Sequence, residues 1–185
     1  MNACALPLPA IAKVVFAGPV GAGKTTLIRC MSDIVPVGTD ELASDEVSQL
    51  KPRTTVALDY GLVQLTQDCK VHCYGTPGQA RFDFMWDILS SGASGVVILL
   101  NHRSPQPLAD LDFYLDAFSG RLSEEQMVIG VTKMDGAAPM QLDVYRRYLR
   151  KAGYRVPVMT ADARLAKDGR ALLSALMFNL AVKDL

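Results

Sequence analysis

Apolar positions along the chain come in short runs, each followed by a longer stretch with helical spacing. That alternation predicts βα units around a largely parallel sheet. Ile11–Ala17 reads as a buried first strand, a glycine-rich turn follows, and a helix runs from Lys24 to about Asp33. Val35–Arg53 is polar, contains proline and lacks a period; a stretch so long without regular structure is expected to be functional or mobile. Val56–Thr66 alternates apolar and polar residues and turns at Gln67-Asp68 into Lys70–Tyr74, which predicts an antiparallel hairpin. The pattern then predicts helix 80–90, strand 96–101, helix 108–118, strand 127–132, helix 141–151, strand 156–160 and helix 166–180. Six strands and five helices make a doubly wound, three-layer α/β/α sandwich, its mostly parallel sheet containing one antiparallel strand. No repeat, low-complexity tract or linker breaks the pattern. Residues 1–185 are therefore expected to form one domain, with residues 1–10 a short N-terminal extension.

Composition narrows the classes. Half of the 185 residues are hydrophobic and 21% are charged, as in an ordered domain able to bury its own core. Lysine plus arginine equals aspartate plus glutamate at 19 each, so no general attraction to nucleic acid or to an anionic membrane follows. Any phosphate binding must be local. Cys4, Cys30, Cys69 and Cys73 show no zinc spacing and read as reduced cysteines. The first ten residues lack the pattern of a signal peptide, residue 2 is not the glycine of a myristoylation signal, and Val182–Leu185 carries no prenylatable cysteine. The apolar run Gly95–Leu100 is far too short to span a membrane. The expectation is a cytoplasmic protein without a lipid anchor.

Gly18-Pro-Val20-Gly21-Ala22-Gly23-Lys24-Thr25 matches GxxxxGK[ST] in full, with a strand pattern before it and a helix pattern after it. The glycines let backbone amides converge on phosphate oxygens. Lys24 adds a charge near the outer phosphates, the Thr25 hydroxyl ligates Mg²⁺, and the helix N-terminus, where Thr26 follows, adds its partial positive charge. The segment resembles the phosphate loop of P-loop NTPases.

Thr132-Lys133-Met134-Asp135, directly after an apolar strand, resembles the [NT]KxD motif of GTPases. The resemblance implies that Asp135 reads guanine and that Lys133 lies over the base. Tyr74-Gly75-Thr76-Pro77-Gly78-Gln79-Ala80-Arg81-Phe82 resembles the WDTAGQERF segment of Ras-like small GTPases, Thr55-Val56-Ala57-Leu58-Asp59-Tyr60 their TIGVDF segment, and Gly92–Leu100 their GAxG strand. Thr160-Ala161 falls where the last base-binding loop would lie. The wording GTPGQ is similar to that of the bacterial MglA-like branch. The resemblance implies a switch that binds GTP or GDP with Mg²⁺, with moving loops near 35–55 and 75–90. Thr55 would sense the γ-phosphate and ligate Mg²⁺ beside Thr25, Gly78 would donate its amide to that phosphate, and Gln79 would orient the attacking water. Loss of the γ-phosphate would release both loops.

Three departures matter. Gly75 stands where the family has an aspartate that holds Mg²⁺ through water, and Asp59 on the neighbouring strand is a candidate substitute. Val20 crowds the γ-phosphate side of the loop, which implies slow unaided hydrolysis. Arg53 lies two residues before Thr55, where MglA-like proteins use an arginine finger to neutralise developing charge. Phe82, Phe84, Met85 and Trp86 cannot all point inward, so part of this segment is expected to face an effector. The resemblance implies a roadblock-type regulator as partner. His72 and His102 are assigned no chemistry. A GTP-binding scaffold that scarcely hydrolyses is the alternative, drawn from Gly75 and Val20. A phosphotransferase is disfavoured because no lid or acceptor pattern is present.

Overall fold

A computed structural model describes residues 8–38, 58–78, 84–136 and 141–183. Among the described residues, seven strands form one sheet in the order β2-β3-β4-β1-β5-β6-β7. The long ones are β1 (Ile11–Ala17), β3 (Asp59–Thr66), β4 (Cys69–Gly75), β5 (Gly95–Asn101) and β6 (Met127–Thr132). The shorter β7 (Val158–Thr160) closes one edge. The other edge is a two-residue strand, β2 (Val37–Gly38), which pairs with β3 and adds to the six expected. β1 runs parallel to β4 and β5, the β5-β6-β7 pairings are parallel, and β3 is antiparallel to both its neighbours. The mostly parallel sheet with one antiparallel strand is thus the observed one.

Helices cover both faces, which is why β5 and β6 read as unbroken apolar runs: each of their residues from Gly95 to Leu100 and Met127 to Thr132 is buried. On one face, α2 (Phe84–Ser90), α3 (Pro107–Ser119) and α4 (Leu142–Lys151) pack over Val15, Val96, Ile98 and Ile129. On the other, α1 (Lys24–Met31) and α5 (Ala166–Lys183) pack over Val14, Phe16, Val97 and Leu99. The alternation of β1 side chains between these two cores follows from the period of two along a strand.

Several boundaries differ from the sequence expectation for local reasons. α1 ends at Met31 because Ser32 turns to extended backbone, its amide still bonded to the Ile28 carbonyl, and the Asp33 amide crosses to the Leu62 carbonyl at 2.8 Å. β7 starts at Val158 because Pro157 has no amide to give, although its carbonyl accepts from Ile129 at 2.9 Å. The hairpin turns at Gln67-Asp68 as expected, with an irregularity between Gln64 and Thr66. α2 is described from Phe84; residues 79–83, together with 39–57, lie outside the described residues.

Strand order runs outward from β1 in both directions, through β4 on one side and β5 on the other. In such sheets the crevice beyond the carboxyl ends of the central strands is where ligands bind. Here it is occupied by the loop from Gly18 to Gly23.

Candidate functional site

The loop between β1 and α1 takes a path that side chains would forbid. Gly18, Gly21 and Gly23 have φ of 141°, 78° and 96°. A Cβ on Gly18 would stand 2.0 Å from the Leu99 carbonyl oxygen, so the loop leans on β5 with bare backbone. Val20 points outward and is 68% exposed, whereas Ala22 is fully buried. Lys24 opens α1 and folds back: its Nζ donates to the Gly18 carbonyl at 2.6 Å and the Pro19 carbonyl at 3.0 Å. Burial pushes Lys24 down to about 8, and the nearby Asp59 carboxylate works against that shift.

The Thr25 hydroxyl donates to Asp59 Oδ2 at 2.5 Å. Asp59 sits on β3 directly opposite Gly75 on β4. A Cβ on Gly75 would meet Asp59 Cβ at 3.0 Å and Oδ2 at 3.2 Å, so the Asp59 carboxyl group fills the space beside the bare glycine. Gly75 thus leaves room for a carboxylate from the adjacent strand, and that carboxylate accepts from Thr25. Thr25 and Asp59 are oxygen donors of the kind Mg²⁺ takes, with phosphate oxygens and water completing its shell. Among the described residues no group of three or more histidine, cysteine, aspartate or glutamate side chains could hold a metal by itself.

Gly78 also lies against the loop. A Cβ there would come within 2.6 Å of the Val20 amide nitrogen and 3.0 Å of Lys24 Nζ. Its approach follows from β4: the Thr76 amide donates to the Phe16 carbonyl at 2.9 Å, which carries the chain past the end of β1. The Tyr114 hydroxyl from α3 donates to the Gly78 carbonyl at 3.4 Å. Burial, with the Asp110 charge, pushes that tyrosine up from its ordinary value.

At the other end of the loop lies a cleft of about 1040 Å³ that runs from Gly21 past Thr26 and Lys133 to Asp135 and Ala161. Thr132 is the joint. Its buried hydroxyl donates to the Ala22 carbonyl at 2.9 Å and lies 3.0 Å from the Leu100 carbonyl. The turn after β6 needs positive φ at Lys133, 58°, and at Gly136, 75°. A Cβ on Gly21 would lie 3.9 Å from Lys133 Nζ, so the lysine reaches over the phosphate loop. Ala161 is buried beside the cleft, its amide donating to the Val131 carbonyl at 2.9 Å.

The structure thus brings together Gly18 to Thr26, Gly78, Thr132, Lys133, Asp135 and Ala161 along one side of the sheet. Arg53, Thr55 and Gln79 lie outside the described residues. Three cleft residues went unnoticed in the sequence. Arg103 and Arg164 stand 3.9 and 3.5 Å from the Asp135 carboxylate, and Asp162 grips Arg164 at 2.6 Å. Each comes from a loop after a strand, and only the folded sheet places those loops side by side.

Of the aromatic run, Trp86 is buried against Phe113, Tyr114 and Phe118, while Phe84 is 51% exposed and Ile88 62%. His72 lies 2.9 Å from the Tyr60 hydroxyl, and His102 lies between Tyr145 and Gln141. Cys30, Cys69 and Cys73 are free thiols. No helix among the described residues is long and apolar enough to cross a membrane.

No family model matches the chain. It is 35% identical over 89 residues to an uncharacterized protein of Methanocaldococcus jannaschii, covering 48% of this chain and 50% of that protein. It is 25% identical over 113 residues to the intraflagellar transport protein 22 homologs of Rattus norvegicus and Homo sapiens, covering 58% of this chain and 56% of each of those proteins. The matches therefore span about half the length of these curated relatives. Sheet order, the glycine-rich loop at the end of β1 and the distant similarity to the intraflagellar transport protein 22 homologs support a small-GTPase-like fold.

Proposed function

We propose that the chain is a guanine-nucleotide switch that binds GTP or GDP with Mg²⁺ and hydrolyses GTP slowly. The observation that carries this reading is the Thr132 hydroxyl bond to the Ala22 carbonyl, because it ties the proposed guanine loop to the proposed phosphate loop in one cleft. Phosphates would sit on the amides of Gly21 to Thr26. Lys24, already beside them, would exchange its two loop carbonyls for the outer phosphates. Asp135 would accept from the guanine edge, Lys133 would cover the base, and Thr132 and Ala161 would wall the cleft. Mg²⁺, when bound, would neutralise charge on the outer phosphate oxygens. Thr25 and Thr55 would hold it, with Asp59 supplying the carboxylate that Gly75 lacks. Gly78 would donate its amide to the γ-phosphate, Gln79 would orient water, and Arg53 would meet the developing charge.

The reading extends to the MglA-like branch, to a cytoplasmic location and to a roadblock-type regulator or another effector at the switch loops. The exposed Phe84 and Ile88 beside residues 79–83 support a docking face of this kind.

A second reading is a GTP-binding scaffold with negligible turnover. It is favoured by Val20, which is exposed beside Gly78, where a branched side chain obstructs the incoming water or arginine. Single-turnover hydrolysis of GTP with Mg²⁺, beside Gln79→Ala and a competition panel of ATP, GTP and GDP, tests both. Turnover that collapses in Gln79→Ala supports the switch. Tight GTP binding without turnover in either protein supports the scaffold, and equal affinity for ATP sinks both.

A further inference from the structure

Asp135 is flanked by two arginines that belong to neither the phosphate loop nor its own loop. Arg103, just after β5, places Nη2 3.9 Å from Oδ2, and Arg164, between β7 and α5, places Nη2 3.5 Å from Oδ1. Arg164 is itself held. Asp162 accepts from its Nη2 at 2.6 Å and its Nε at 2.8 Å, and from its backbone amide at 2.9 Å. That grip holds the Asp162 carboxyl down at about 2. The loop is anchored in turn. The Asp162 amide donates to Asp168 Oδ2 at 2.8 Å, and the Cys30 thiol donates to the Arg164 carbonyl at 3.0 Å.

The geometry points to Arg164, seconded by Arg103, as a positioning residue that sets selectivity for guanine by aiming the Asp135 carboxylate into the cleft. The inference rests on Asp135 reading the base, as proposed above. Both arginine contacts are longer than a hydrogen bond, so neither uses up an acceptor site. A carboxylate has about four such sites, and the N1–H and 2-amino groups of guanine need two. The Asp135 side chain is 59% exposed, and without flanking charges it would have to be ordered each time a base enters. Arginine suits the task because its planar fork is fixed by one carboxylate while its outer edge faces another.

The test compares GTP with ITP, whose base lacks the 2-amino group, and with ATP. Dissociation constants are measured for the wild type, Arg164→Ala, Arg103→Ala and Asp162→Asn. Arg103 and Arg164 lie at the surface and Asp162 is partly buried, and nucleotide-free melting establishes that each variant folds. The ratio of ITP to GTP dissociation constants is expected to fall about fivefold in Arg164→Ala, the scale of one exposed ion pair. It is expected to fall less in Arg103→Ala, and to fall in Asp162→Asn although Arg164 is intact. An unchanged ratio in Arg164→Ala overturns the inference, as does an equal loss of GTP and ITP affinity, which would mark a general charge effect. A wild type that fails to prefer GTP over ATP overturns the guanine reading itself, and the two failures are thereby told apart.

Discussion

Asp59 and Lys24 carry the residue-scale chemistry. Asp59 takes the Thr25 hydroxyl at 2.5 Å across a glycine that leaves room for it, and under the proposed function its charge would serve the Mg²⁺ side of the site. Asp59→Asn is expected to raise the Mg²⁺ concentration needed to retain GTP about tenfold, the weight of roughly 1.4 kcal/mol. Nucleotide release followed across a Mg²⁺ titration reads this directly, and an unchanged midpoint would remove Asp59 from the site. The exchanged pair Asp59→Gly with Gly75→Asp should recover part of the loss, whereas Gly75→Asp alone sets two carboxylates in one space. Lys24 makes a pH prediction. In the empty protein its burial pushes it down to about 8, while phosphate binding requires the ammonium form. Above pH 8 binding must take up a proton, so GTP affinity should fall by up to tenfold per pH unit and be flat below. Stability of the empty protein moves the opposite way. The unfolded chain holds the Lys24 proton up to its ordinary value of 10.5, so this group's burial penalty is full below pH 8 and fades between 8 and 10.5. Calorimetry in buffers of different ionisation heat would detect the proton uptake. Equal apparent heats at pH 9 would refute it.

At the scale of elements, the site depends on how three strand ends are joined. β1, β5 and β6 meet at Gly18, Leu100 and Thr132, and the Thr132 hydroxyl bonds the loop after β1 to the end of β6. Thr132→Val keeps the shape and strips the donor from the buried Ala22 carbonyl. A loss of about 1–3 kcal/mol is expected in urea denaturation, accompanied by weaker GTP binding because the phosphate loop loses its tie. A stable variant with intact binding would show that the tie is dispensable. The β1 and β6 boundaries were legible in the sequence to the residue, since each is an apolar run ended by a glycine-rich turn or a polar loop. β2 was not, because two residues paired at a sheet edge leave no periodicity. Pro157 made β7 start two residues later than its apolar character implied.

For the whole molecule, a ligand that binds the folded chain alone must raise its melting temperature. GTP with Mg²⁺ at a hundredfold excess over its dissociation constant is worth about 2.7 kcal/mol. In a chain of this size that corresponds to roughly 5–10 °C. ATP at the same concentration is expected to give no shift, and an equal shift would point to a phosphate site without base selectivity. The buried Trp86, the single tryptophan of the chain, packs on α3 beside the Tyr114 that reaches Gly78. Its emission offers a second readout of the same binding.

By itself the sequence determined the layered α/β fold and proposed the phosphate loop and the guanine loop, because each is written in contiguous residues whose backbone and hydrophobic demands are local. Tertiary structure decided the rest. Asp59 was a candidate in the sequence, but that it stands directly opposite Gly75 depends on the register of a hairpin with an irregularity between Gln64 and Thr66, which no pattern of apolar residues reveals. The lowered proton affinity of Lys24 depends on burial under its own loop. The arginines around Asp135 come from loops after β5 and β7, far apart in the chain and adjacent only because both strands flank β6. Local preferences place strands and turns. Which charges face one another is fixed only when strands with distant sequence positions become neighbours in the sheet.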